Sequence, residues 1–265
     1  MHAQRLRDRA DARVVAVADQ EPARRQQAAG ELGARAYSTV EELLNDDQVE
    51  VVVLATPSIG HARETVAAFA AGKHVVVEKP MAMTLAEADA MLAAAKNAGK
   101  ELFVHHNLRL TREFTHLDEI IRSQRLGRLF HLRFNNLIYM RRNDWQSLQR
   151  NGGGLLNNAG SHCLDLVLSL LPSPVIDVVG DLRQICSAGD VEDHVKMFLR
   201  CADGCTADLE VSTAEAIDPP LPRWILCGVN GTLTSDGEQS KIRWYDPKSA
   251  PPLVLRDGPA ADRKY

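Results

Sequence analysis

Between Val14 and His105 the chain alternates short runs of β-branched and other apolar residues with alanine-rich stretches of helical length. The runs Val14–Asp19, Val49–Ala55, His74–Val77 and Leu102–His105 lack the every-second-residue pattern of a strand with one wet face. Strands that are apolar throughout are covered on both faces, and strands joined through helices run parallel. The stretches between them read as those helices. Pro22–Leu32 has proline in its first turn and Gly33 just past its end. Ser38 with Glu41 three residues on predicts a capping box. Ser58–Ala71 and Leu85–Ala98 are followed by Gly72 and Gly99. The expected fold class is α/β, a doubly wound parallel sheet.

After His106 the texture changes, which divides the chain into residues 1–106 and 107–265. Phe114–Gln124 carries Leu117, Ile120 and Ile121 on one helical stripe. Longer strand-like segments follow at Leu129–Met140, Val175–Ile185, His194–Cys201, Thr206–Ser212, Trp224–Val229 and Ile242–Tyr245, broken by the apolar helix Leu164–Leu171 and by turns such as Asn230-Gly231. This half is expected to be an α+β domain on a mostly antiparallel open sheet.

Charge and composition exclude several roles. Lys and Arg number 31 against 35 Asp and Glu, a net charge of -4, so no positive field for nucleic acid or an acidic membrane shows in the count. No apolar run approaches the roughly 20 residues that span a bilayer, and Met1–Arg7 has no secretory h-region. Cys163, Cys186, Cys201, Cys205 and Cys227 are odd in number and without CxxC spacing, which predicts reduced thiols in a cytoplasmic protein and no metal site.

Three features carry chemistry. Asp19 ends a strand, where an acid can accept the adenosine ribose hydroxyls of a dinucleotide; a polar strand terminus accounts for it equally on spacing alone. Glu78-Lys79-Pro80 places charge at the carboxyl edge of the sheet, where open α/β sheets bind ligands, and Lys79–Pro80 is a candidate cis peptide; taken alone, a turn with a solvated lysine accounts for the motif better. If the chain is helical from Asn158 to Asp165, then Asn158, His162 and Asp165 share one face at i, i+4 and i+7, beside the run Gly152-Gly153-Gly154. Burying such groups needs a ligand or mutual hydrogen bonds. The glycines suit a closely approaching ligand; the competing account pairs His162 with Asp165 as a core histidine.

Glu78-Lys79-Pro80, with Ala55-Thr56-Pro57-Ser58-Ile59-Gly60-His61 upstream, Ala70–His74 ahead of its strand and Gly152–Asp165 downstream, resembles the glucose–fructose oxidoreductase/inositol dehydrogenase (Gfo/Idh/MocA) family. The likeness runs from His2 to about Asp236. It implies a Rossmann-like NAD(P)-binding domain over 1–106 and a substrate and oligomerisation domain over 107–265, with hydride transfer between NAD(P) and a secondary hydroxyl of a sugar, inositol or related polyol. Position by position, Lys79 matches the lysine that contacts the substrate hydroxyl and assists proton transfer, and His162 the histidine at the reacting carbon. Asn158 stands where many members carry aspartate and some asparagine. Asp19 matches the ribose acid, Thr56, Pro57 and His61 a loop lining the dinucleotide, and Glu78 a group orienting lysine and cofactor. Arg109 resembles an N-x-R element near the substrate.

Oxidising an alcohol requires removal of its proton, and a histidine or a buried lysine can take it, so the pair His162 and Lys79 is assigned this role jointly. Asn158 cannot exchange protons and is left to position substrate or histidine. Arg142, Asp144, Trp145, Asp193 and His194 could hydrogen-bond hydroxyls or form structural ion pairs. Asp19 would repel a 2′-phosphate, so NAD is expected, with Arg24 and Arg25 leaving NADP open. A small-molecule substrate and a homo-oligomer are the expected partners.

A glycine-rich turn roughly 20 residues before Asp19 would fall ahead of Met1, and family members continue past the proline-rich end at Pro247, Pro251, Pro252 and Pro259. The expectation is a shortened form, first strand and phosphate loop absent, from a misplaced start or a partial gene. A non-catalytic sensor or scaffold and an NAD-dependent glycosidase are the alternatives.

Overall fold

The computed structural model describes residues 2–250. The parallel strands are β1 (Ala16–Ala18), β2 (Arg35–Tyr37), β3 (Val51–Leu54), β4 (His74–Val77) and β5 (Leu102–Val104), alternating with α1 (His2–Arg7), α2 (Pro22–Leu32), α3 (Val40–Leu44), α4 (His61–Ala70) and α5 (Leu85–Ala98). They pair as two parallel sheets, β1 with β2 and β3–β4–β5. Continuous apolar runs follow from coverage on both sides. Val52, Leu54, Val75 and Val77 are buried in a core with Ala68 and Phe69 of α4 and Met91 and Ala95 of α5. Val53 and Val76 look the other way, onto a cavity shared with His2, Arg5 and Leu6 of α1.

Helix ends obey local chemistry. Gly33 and Gly99 sit in the left-handed region at the C-caps of α2 and α5, and Thr84 closes a full capping box with Glu87. The box expected at Ser38 lies one residue later: Thr39 caps α3 by accepting from Glu42 N, while the Glu42 carboxylate takes Ser38 N and Oγ. Starting the helix at Val40 points Leu43 and Leu44 into the core.

The second half packs α6 (Arg112–Arg122) and α7 (Ser161–Leu170) on one face of a seven-stranded sheet. Its strands are β6 (Leu129–Leu137), β7 (Val175–Arg183), β8 (His194–Cys201), β9 (Thr206–Ser212), β10 (Trp224–Gly228), β11 (Gly231–Ser235) and β12 (Ser240–Trp244), in the order β12-β11-β10-β6-β9-β8-β7. Only β6 and β9 pair parallel. On β8, Val195, Met197, Leu199 and Cys201 are buried under the helices while Lys196, Phe198 and Arg200 are exposed. Leu117, Leu132, Leu209, Trp224 and Leu226 form the centre of that core, with the Phe134 and Trp224 rings edge to face. All five cysteines are free, and Cys163, Cys201 and Cys205 are buried. Among the described residues no helix is long and apolar enough to cross a membrane. The end of the proline-rich segment (Pro251, Pro252, Pro259) lies outside the described residues.

Candidate active site

The carboxyl end of β4 and the chain just before α7 meet at Lys79. Its Nζ donates to both oxygens of Asn158, 2.7 Å to the backbone carbonyl and 3.2 Å to Oδ1. The residue follows directly from the strand end, and the Lys79–Pro80 bond is cis as expected. Burial pushes the Lys79 amine below the usual lysine range, against the pull of Glu78.

Asn158 does not lie on an ordinary helix continuous with His162. Residues Leu156–Gly160 form a π-turn, closed by Gly160 N donating to Leu155 O at 2.7 Å, and α7 begins only at Ser161. Such one-turn widenings concentrate at functional sites. Here Asn158 O accepts from Ser161 Oγ (2.9 Å) as well as from Lys79.

His162 is half-buried, and its Nδ1 is buried without a hydrogen-bond partner among the described residues. Burial, reinforced by Lys79 and His106, pushes its imidazole down from 6.5 to about 4. Asp165 is not its partner, so the core-histidine account fails. That carboxylate is gripped by Arg109, 2.8 Å from Nε and 2.5 Å from Nη2, with His106 Nδ1 at 3.4 Å. Arg109, expected near substrate, is thus bound to Asp165, and the His106 ring lies 6.3 Å from that of His162.

The depressed histidine sets a pH dependence. Folded, His162 binds its proton near pH 4; unfolded, near 6.5. Between those values the unfolded chain holds more protons, so stability rises with pH across the window. Urea midpoints are expected to fall between pH 6.5 and pH 4, less steeply in His162→Phe; equal slopes would contradict the assignment.

The other side chains divide between placed and displaced. Glu78 accepts from His2 Nε2 (2.5 Å), His105 Nδ1 (3.0 Å) and Lys79 N (3.3 Å). Burial alone would raise its carboxyl, but the two imidazoles hold it below the usual range. His61 is 1% exposed, each ring nitrogen 2.9 Å from a backbone oxygen, of Pro80 or Thr56. It therefore ties the Thr56 end of the loop to Pro80. Thr56 Oγ1 donates to buried Glu64 at 2.5 Å, and Pro57 is exposed.

Asp193, offered as a hydroxyl ligand, is buried and accepts from the backbone N–H groups of Ile185, Cys186 and Ser187 at 2.6–2.8 Å. It is a loop anchor; burial works to raise its carboxyl and these donors hold it low. His194 lies 3.2 Å from Ser212 Oγ and 3.4 Å from Glu215. Arg142 donates to Asp144 at 2.8 Å and to the side-chain oxygen of Gln146. Trp145 stands half exposed in the same loop. The glycine run packs closely on protein: a Cβ on Gly153 would collide with the Gln146 carbonyl, and one on Gly154 would lie 2.7 Å from Glu192 Oε1. Sequence reasoning passed over Gln146, which had no motif to mark it.

These residues fit a nicotinamide dinucleotide at its two ends. Asp19 Oδ1 accepts from Glu21 N at 2.8 Å, while its second carboxylate oxygen makes no hydrogen bond among the described residues. Arg25 Nη1 donates to Asp19's own carbonyl at 2.6 Å, a backbone tie. At the other end the orphaned His162 Nδ1 sits beside a lysine amine whose charge burial disfavours.

Comparison with known proteins agrees with this reading. Residues 1–106 match the family model described as the oxidoreductase family, NAD-binding Rossmann fold, and residues 114–234 match the GFO/IDH/MocA C-terminal domain. A 1-carboxy-3-chloro-3,4-dihydroxycyclohexa-1,5-diene dehydrogenase of Comamonas testosteroni is 33% identical over 203 residues, 75% of this chain and 51% of that protein. The chain spans about half the length of the first curated relatives it matches. An NAD-binding protein from Listeria innocua superposes with TM-score 0.84 at 30% identity, covering 98% of this chain and 75% of that one. The WlbA dehydrogenase of Bordetella pertussis, solved with NADH and UDP-GlcNAcA, gives TM-score 0.84 at 26% identity, covering 93% and 74%. With its lysine at the strand edge, its histidine in the first turn of α7 and both domains matched, the chain belongs to the Gfo/Idh/MocA family of NAD-binding oxidoreductases.

Proposed function

We propose that this chain oxidises a secondary hydroxyl of a cyclic polyol or sugar with NAD, and that Lys79 takes the hydroxyl proton. The observation that carries this is the meeting of Lys79 Nζ with two Asn158 oxygens beside His162. Two of the amine's hydrogens are spoken for by Asn158, so its third position is free to face a hydroxyl. Burial favours the neutral amine, whose lone pair can then accept that proton. His162, neutral above about pH 4, is poorly matched to take a proton at pH 7 and is assigned to orient the hydroxyl instead. Asp19, Glu78 and the Thr56–Pro57 loop would hold NAD, which would supply the hydride acceptor for this oxidation.

Asn158 contributes by being uncharged. Asn158→Asp would set a carboxylate against the Lys79 ammonium and stabilise it. The limb of the pH–rate profile that reports lysine deprotonation is expected to move to higher pH; an unmoved limb would count against Lys79 as the base. The ring diol of the Comamonas relative's name and the sugar acid bound by the Bordetella dehydrogenase support a cyclic, hydroxylated substrate class. The exposed face of the seven-stranded sheet, with Val179 and Phe198 among its charged residues, supports self-association through that face.

The test is NADH formation from NAD and a panel of inositols, hexoses and hexuronates. Turnover of one class supports the proposal. Binding without turnover of any would select the sensor reading, and glycoside hydrolysis without net NADH the glycosidase reading.

A further inference from the structure

Lys79 Nζ donates to one end, and Arg142, which has donors only, to the other, of a pair of side-chain amides that lie between them. Arg142 Nη2 donates to Gln146 Oε1, so Gln146 must present oxygen on that side. The same oxygen accepts from Asn158 Nδ2 at 2.9 Å, which obliges Asn158 to turn its own oxygen toward Lys79. Hydrogen bonds at both ends therefore fix both amide orientations, and neither can be flipped without opposing like dipoles. Gln146 is held independently of its side chain: its N donates to Asp144 Oδ1 (3.0 Å) and its carbonyl accepts from Gly154 N (3.0 Å). The space around Arg142, Gln146 and Gly154 amounts to about 10 Å³, room for little more than a water.

We infer that Gln146 is a positioning residue for the proposed reaction: anchored by Arg142, it locks the Asn158 amide so that Oδ1 stays on the Lys79 amine. This rests on the reading of Lys79 as the proton acceptor. It also accounts for asparagine at 158, since aspartate there would face Gln146 Oε1 acceptor to acceptor. The charged and titratable groups bearing on Lys79 are Glu78, His106, His162 and Cys163, and none of them touches Gln146.

The experiment reads Lys79 without any substrate. The full chain is acetylated with trace acetic anhydride across a pH series, and Lys79 reactivity is followed by mass spectrometry against exposed Lys96 as reference. In Gln146→Leu the amide loses its far anchor, an acceptor for the ammonium is weakened, and Lys79 is expected to titrate at lower pH. Gln146→Glu keeps an acceptor for both Asn158 and Arg142, so Lys79 should titrate at or above the wild-type position. Arg142→Met, which releases Gln146 while leaving it in place, should shift Lys79 in the same direction as Gln146→Leu and covers the case where that variant misfolds. In turnover the leucine variant should lose about fivefold in kcat with KM unchanged, the effect of one hydrogen bond of about 1 kcal/mol. A Lys79 titration unchanged in folded Gln146→Leu or Arg142→Met, or a glutamate variant that behaves like leucine, would overturn the inference. An inactive wild type would overturn the proposed reaction and leave the labelling result standing.

Discussion

Lys79→Met is expected to lower turnover by about 10³-fold, the range of a lost general base, with the folded core intact. The residue is half-buried at a strand end, outside the hydrophobic core, and its polar contacts are to the oxygens of Asn158. Methionine fills the same volume without a proton acceptor. Lys79→Arg separates charge from proton transfer: it keeps a cation for the Asn158 oxygens but cannot deprotonate. Both variants should therefore fail in kcat to a similar extent. An arginine variant with near-normal kcat would mean that the lysine supplies only charge, and the proton would have to be reassigned to His162.

Gly153→Ala is expected to be costly in stability for a single methyl group. Its Cβ would run into the Gln146 backbone carbonyl, and backbone cannot swing aside as a long side chain can. Overpacking of this kind costs about 2–3 kcal/mol, or roughly 5–10 °C in Tm for a chain of this size. Because the displaced atom belongs to Gln146, turnover should fall as well. Gly30→Ala is the control: it lies in α2 with nothing within 4 Å of its Cβ and should be neutral or slightly stabilising. A Gly153→Ala protein with unchanged melting would show that the loop at 145–151 is not packed on the glycine run.

What could be read in the sequence was governed by how local its cause was. α2, α5 and β4 came out at their observed limits because proline, threonine and glycine caps and a continuous Val run are local signals. β11 did not, since Gly231-Thr232-Leu233-Thr234-Ser235 has a single apolar residue and is a strand only because β10 and β12 flank it. Lys79, Asn158 and His162 were legible through motifs. Gln146 was not: a glutamine in a polar loop acquires its part only when Asn158 and Arg142 arrive on either side. The same blindness to tertiary partners hid the three backbone N–H groups that take up the Asp193 carboxylate and the two backbone oxygens that hold the His61 ring. The glycine run at 152–154 was legible as a place of close approach, and the backbone of Gln146 and the carboxylate of Glu192 are what approach Gly153 and Gly154.

The central claim, a nicotinamide dinucleotide held between Asp19 and the Lys79–His162 pair, is tested most directly by calorimetric titration of NADH into this chain. The account predicts saturable binding at one site per chain, weakened in Asp19→Ala. A folded sample that takes up no NADH would contradict it.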